Sequence, residues 1–169
     1  IHNWGLDRFK AKVEEYYGAK LPAPRPIEVH EFNDGMGWHA QGDGLFFYGL
    51  NIENGRIKDE GLYRLKSALR KIGTTLAPPL RLTPHQSIIF CNLEATDREP
   101  LEKILREHCV PLSEEFSSAR RWAIACPALP TCGLAITESE RILPSMIDDL
   151  ERELEKLGLA DEVFTTRMT

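Results

Sequence analysis

Between residues 45 and 109 the hydrophobic period of the chain alternates between strand and helix, and that order constrains its fold more than any other feature. "LFFYGLNI" is an apolar run of strand length, and "ENG" after it is turn chemistry, so "RIKD" is expected to begin a return strand. Leu62, Leu65, Leu69, Ile72 and Leu76 then recur at helical spacing until "APP" stops the pattern. "RLTPHQSIIFCNL" returns to strand character, most firmly over 87–93. Leu101, Ile104 and Leu105 mark a second amphipathic helix that reaches the region of Cys109. Such a series buries its apolar faces by laying the helices on one face of a sheet, so the expected class is α+β. Among common folds the ferredoxin-like type is nearest, and fold alone assigns no function.

The flanks are less regular. Residues 1–20 read as a helix, with Leu6, Phe9, Val13 and Tyr17 at helical spacing and Asp7 placed to cap its start. "LPAPRP" ends it, "IEVHEF" alternates like a short strand, and the Gly-rich "NDGMGWHAQGDG" reads as a loop or hairpin connection. After "VPLSEEFSSAR" the character changes. "RWAIA" is a short apolar run, and a helix is expected from Glu138 to Leu157, with Ile142, Met146, Ile147, Leu150, Leu154 and Leu157 on one stripe. Pro144 should kink that helix or mark a boundary, Gly158 should end it, and "DEVFTTRMT" closes the chain as a strand. The expected organisation is a linking helix and loop segment at 1–40, an α+β unit at 41–112 and a further unit at 113–169.

Charge and composition exclude some functions. The net charge of −5 gives no electrostatic footprint for nucleic acid. Phe46, Phe47 and Tyr48 are consecutive and lack the basic surround that an RNA-binding sheet face needs. No apolar run is long enough to span a membrane. Four cysteines are few for a disulfide scaffold of 169 residues, so a reducing, cytoplasmic compartment is expected. The chain opens on Ile1 without a signal segment, which points to a processed product or a fragment.

Cys91 in a strand and Cys109 near a helix end read as small buried hydrophobes. Cys126 and Cys132, in "ACPALPTCGLAITESER", differ because Pro127 and Pro130 stiffen the loop between them. Burial, a disulfide and a metal site all remain open on spacing alone. Zinc usually takes closer cysteine pairs and, like an iron–sulfur cluster, needs about four ligands.

"ACPALPTCGLAITESERILPSMI" resembles the first cluster-binding segment of assimilatory sulfite reductases, in the sulfite and nitrite reductase family. "LFFYGLNIENGRIKD" and "LRLTPHQSIIFCNL" resemble that family's ferredoxin-like half-domain, and "TTRMT" resembles the residues just before its second, Cys-x-x-x-Cys, ligand pair. The resemblance implies an internal piece of a longer enzyme, comprising a half-domain and the start of the sirohaem and [4Fe–4S] domain. Cys126 and Cys132 would be two of four cluster thiolates, the other two lying beyond Thr169. It further implies sirohaem contacts from Gln86, Arg81 and Arg167, with no catalytic residue inside the piece. His85 stands where the related pattern has asparagine, which argues against an acid–base role. The implied reaction is the six-electron reduction of sulfite to sulfide, with ferredoxin or a flavoprotein as donor. The piece alone is expected to hold no stable cofactor and to be inactive. "PALPTC" resembles sulfite reductases more than nitrite reductases, and nitrite is the alternative substrate. A non-enzymatic interaction module and a zinc-binding domain are the readings from other classes.

Overall fold

The computed structural model describes residues 2–28 and 34–169, and it divides into two compact units, residues 1–32 and 33–169. The first unit contains helix α1 (Gly5–Tyr17). Trp4 occupies the cap position without a side-chain bond, and Asp7 lies inside the first turn, where its charge complements the helix dipole. Gly18 ends the helix in the left-handed conformation, its N–H donating to Glu14 O at 2.9 Å. The expected strand in "IEVHEF" falls largely on residues 29–33, outside the described residues.

The second unit is built on a four-stranded antiparallel sheet of β1 (Gly37–Ala40), β2 (Phe46–Leu50), β5 (Leu80–Leu82) and β6 (Ile88–Leu93), in the order β1-β2-β6-β5. Gly37–Ala40, expected in a loop, is the first strand, and the hairpin connection is confined to residues 41–45. Alternation selects the core face: Tyr48 and Leu50 of β2 stand opposite Phe90 and Ile88 of β6, and all four are buried. On that face pack Leu65, Ala68 and Ile72 of α2 (Leu65–Thr75) and Leu101, Ile104 and Leu105 of α3 (Arg98–Glu107). Both helices therefore cover one face, as the α+β reading required.

Two local expectations fail for physical reasons. "ENG" forms a 3-10 turn with Asn54 at φ 54°, so "RIKD" does not return along β2. The chain instead makes a small hairpin of β3 (Asp59–Glu60) and β4 (Tyr63–Arg64), and this delays the start of α2 to Leu65. Leu62, expected on the helix face, lies in that hairpin turn and is 81% exposed.

The remaining elements are α4 (Ser118–Arg121), β7 (Ile124–Ala125), α5 (Leu143–Leu157) and β8 (Arg167–Met168). Pro144 sits in the first turn of α5, where its missing N–H costs nothing, and so marks a boundary rather than a kink. Gly158 closes the helix in the left-handed conformation. A buried polar relay fastens residue 113 onward to the sheet. Ser113 Oγ donates to Gly49 O at 2.7 Å and accepts from Asn51 N at 2.7 Å, while Ser113 N donates to the Tyr48 hydroxyl at 3.0 Å. Burial pushes the Tyr48 phenol well above its ordinary value, which keeps it a donor to Glu114.

Candidate cluster-ligand loop

β7 and β8 pair in parallel, with Ile124 opposite Arg167 and Ala125 opposite Met168. The ladder continues into the first cysteine: Cys126 N donates to Met168 O at 2.9 Å. The loop then turns on Ala128, at φ 49°, whose carbonyl accepts from Thr131 N at 3.0 Å and from Cys132 N at 2.7 Å. The Leu129–Pro130 peptide within it is cis. Ser139 closes the far side, its buried hydroxyl donating to the same Met168 O at 2.7 Å. Both flanks of the Cys126–Cys132 loop therefore converge on one carbonyl of β8.

Both thiols are free; Cys126 is exposed and Cys132 half-buried. The burial reading therefore does not describe Cys126. Cys91 is buried as expected, but Cys109 is exposed. It takes the left-handed position after α3, at φ 53°, and Val110 fills the core in its place. Among the described residues no group of three or more His, Cys, Asp or Glu side chains could hold a metal ion. Two thiols on one loop are of the type, and half the number, that a sulfur-ligated iron cluster would take.

The other expected site residues are placed as follows. Gln86 brackets Ala125, accepting from its N–H at 3.3 Å and donating to its carbonyl at 2.8 Å. Arg167 stands on β8 and donates to Trp122 O at 3.1 Å. Arg81 is exposed on β5 and lines a groove with Phe47, Ile89 and Cys91, a group that does not include the cysteine loop. Gln86 and Arg167 are thus gathered around β7, on either side of it, and Arg81 is not.

Ion pairs hold the loop's surroundings to the half-domain, and sequence reasoning missed them. Arg56 donates through Nε and Nη2 to Glu140, the residue after Ser139, and Asn54 Nδ2 donates to Glu140 O at 3.0 Å. Arg120 ties α4 to two other segments: to Glu53 at 2.6 Å, and on α5 to Glu151 at 2.7 Å and to Asp148. The Arg120 side chain is only 14% exposed and that of Glu151 29%, so its removal strands the half-buried Glu151 carboxylate. Arg120→Ala is expected to cost about 2 kcal/mol, and hence to lower the melting temperature by about 6 °C. Differential scanning fluorimetry reads this directly.

The same pairs set an acid limit. The Arg56 hydrogen bonds hold the Glu140 carboxyl below the ordinary range against the opposing effect of burial. Burial pushes Glu151 up, but hydrogen bonds from Arg120 and Ser117 outweigh it and leave that carboxyl low. A depressed folded-state pKa stabilises above the unfolded value and ceases to do so as pH falls through the folded one. Melting temperatures are therefore expected to fall as pH drops below the ordinary glutamate value of about 4.3. Arg56→Met should give a shallower acid limb, because Glu140 then titrates nearer its unfolded value; an unchanged limb counts against the pairing.

Residues 39–108 match the model of the nitrite/sulfite reductase ferredoxin-like half domain, the segment that carries this sheet and its two helices. Over 169 residues, all of the chain, it is 47% identical to a protein of Synechococcus elongatus named sulfite reductase [ferredoxin], covering 27% of that protein. It is 38% identical to a sulfite reductase [NADPH] hemoprotein beta-component of Staphylococcus haemolyticus, covering 30% of it. A beta-component of the same name from Methylorubrum populi is 41% identical over 170 residues, with 28% of it covered. The solved structure of Mycobacterium tuberculosis NirA protein superposes with a TM-score of 0.75 over 99% of this chain and 30% of that one; at 24% identity it speaks for the fold. Residues 39–108 thus carry the half domain of the nitrite and sulfite reductases, and the chain as a whole is similar to part of proteins named sulfite reductase. It spans less than a third of the length of these relatives.

Proposed function

We propose that this chain is part of an assimilatory sulfite reductase, a longer protein that reduces sulfite to sulfide with electrons from ferredoxin. In this reading residues 41–112 are the half-domain and residues 113–169 open the cofactor-binding part. Cys126 and Cys132 supply two thiolates to a [4Fe–4S] cluster. The observation that carries it is the convergence of Cys126 and Ser139 on Met168: the parallel pairing directs the chain after Met168 alongside Cys126, where further ligands are needed. The two remaining cysteines then follow Thr169.

When bound, the cluster and sirohaem supply the electrons singly, six for each sulfite, the three oxygens leaving as water. The residues of this chain do the holding. Cys126 and Cys132 would hold iron as thiolates, and the Met168 carbonyl fixes the loop that bears them. Arg167, at the edge of this small sheet, is a candidate partner for a sirohaem carboxylate, which its guanidinium would bind in bidentate fashion. The ferredoxin donor follows the name of the Synechococcus relative, and a flavoprotein is the alternative suggested by the [NADPH] beta-components.

The test uses the full-length protein that contains this chain. Iron and acid-labile sulfide analysis, an optical spectrum, and sulfide release with reduced ferredoxin are expected to be positive. A protein without iron, or one that turns over nitrite and not sulfite, would sink the proposal.

A further inference from the structure

We propose that Gln86 is a positioning residue for the Cys126 thiolate, through which the half-domain fixes where that cluster ligand stands. The inference rests on the cluster reading above and adds a specific part to it.

In a parallel ladder successive residues point their N–H and C=O groups alternately to either side. Ile124 N donates to Thr166 O at 3.0 Å and Cys126 N to Met168 O at 2.9 Å, so the backbone groups of Ala125 face away from β8. Ala125 is 4% exposed, and its two groups would be costly to bury unpaired. Gln86 supplies the partner. Its carboxamide has the donor and acceptor of a peptide group, and it meets both groups of Ala125 as a neighbouring strand would.

The peptide that joins Ala125 to Cys126 is consequently held at both ends. Its carbonyl accepts from Gln86 Nε2 at 2.8 Å, and its N–H donates to Met168 O. The Cys126 Cα leaves from that pinned plane, so Gln86 acts on the thiolate without touching it.

Gln86 is itself held firmly. It has φ 58° in a turn where Thr83 N donates to Ser87 O at 3.0 Å and Gln86 N to Thr83 O at 3.2 Å. Ser87 Oγ accepts from Ile52 N at 3.1 Å, which joins that turn to the end of β2. Gly55 lies so close that a Cβ there would stand 3.2 Å from the Gln86 Cβ. The anchor is thus built into the half-domain, and its carboxamide has Ala125 as its partner.

Gln86→Met, which keeps length without hydrogen bonds, and Gln86→Glu, which keeps an acceptor but loses the donor at neutral pH, test this in the full-length holoprotein. Iron release to a chelator is expected to quicken about tenfold in Gln86→Met, in the range seen for partners that orient metal ligands, with Gln86→Glu between it and wild type. The electron paramagnetic resonance signal of the reduced cluster should shift, and hydrogen exchange should rise in the peptide spanning Ala125 and Cys126 while β2 and β6 keep their protection. Wild-type iron release and an unshifted signal in both variants overturn the proposal. So does loss of protection throughout the sheet, which would mark a general structural role. A wild-type protein lacking iron and sulfide fails at the earlier step and overturns the cluster reading itself.

Discussion

Replacing Cys126 by serine in the full-length protein is expected to lower its iron and acid-labile sulfide at least about tenfold, while Cys109→Ser leaves both unchanged. A serine hydroxyl is not ionised at neutral pH, and iron–sulfur clusters are held by thiolates. The fold should tolerate the change, because Cys126 is exposed and its place is set by backbone bonds that serine retains. Loss of the cluster would therefore not be a consequence of unfolding, and unchanged circular dichroism checks this. Cys132→Ser should behave alike. Cys109 is the control: it is exposed, beyond the end of α3, and lies outside the loop that gathers at β8. A Cys126→Ser protein with full cluster content would remove this thiol from the ligand set.

Gly49→Ala should be the most damaging change in the half-domain. β1 and β2 are joined so tightly here that a Cβ on Gly49 would overlap the carbonyl oxygen of Gly35 and reach 2.8 Å from the Met36 Cα. These are backbone atoms of a segment already fixed on both sides. Met36 N donates to Asp34 Oδ1 at 3.0 Å, and Asp34 is buried against Arg121 at 2.6 Å. Relief requires the sheet edge to move, which also strains the bond from Ser113 Oγ to Gly49 O. A cost of about 3 kcal/mol or more is expected, at the upper end for overpacking. The melting temperature should fall by about 10 °C. Gly73→Ala is the contrasting change: Gly73 lies in α2 with open space where the Cβ would go, and helix propensity predicts a gain of about 0.5–1 kcal/mol. Equal melting temperatures for Gly49→Ala and wild type would show that the edge yields freely.

What the sequence reveals and what it hides divides along the range of the interactions. α2, α3 and the end of α5 were legible because period, proline and glycine act within a few residues. The two thiols were legible as a pair for the same reason. Gly37–Ala40 was not, since its strand character comes from pairing with β2, not from its own Gly-rich composition. Cys109 misled because a helix end offers two places, one inward and one outward, and Val110 takes the inward one. Ser139 carried no local mark; its role is a bond to Met168, far along the chain. Arg120 and Arg56 likewise look like ordinary surface cations until folding brings Glu53, Asp148, Glu151 and Glu140 to them. The motif picks out the two thiols, and only the fold shows what holds their loop in place.

The parallel pairing of β7 with β8 also orders events in time. Antiparallel neighbours can be joined by a short turn, but parallel ones require a crossover, here the passage through the cysteine loop and α5. On a ribosome, Cys126 and Cys132 emerge well before Met168, and for that interval the loop lacks the carbonyl on which both its flanks close. The four-stranded sheet, whose strands all lie upstream, can already be formed. The cysteine loop can thus close only after every strand of that sheet has been made, with Gln86 in its turn upstream to receive Ala125.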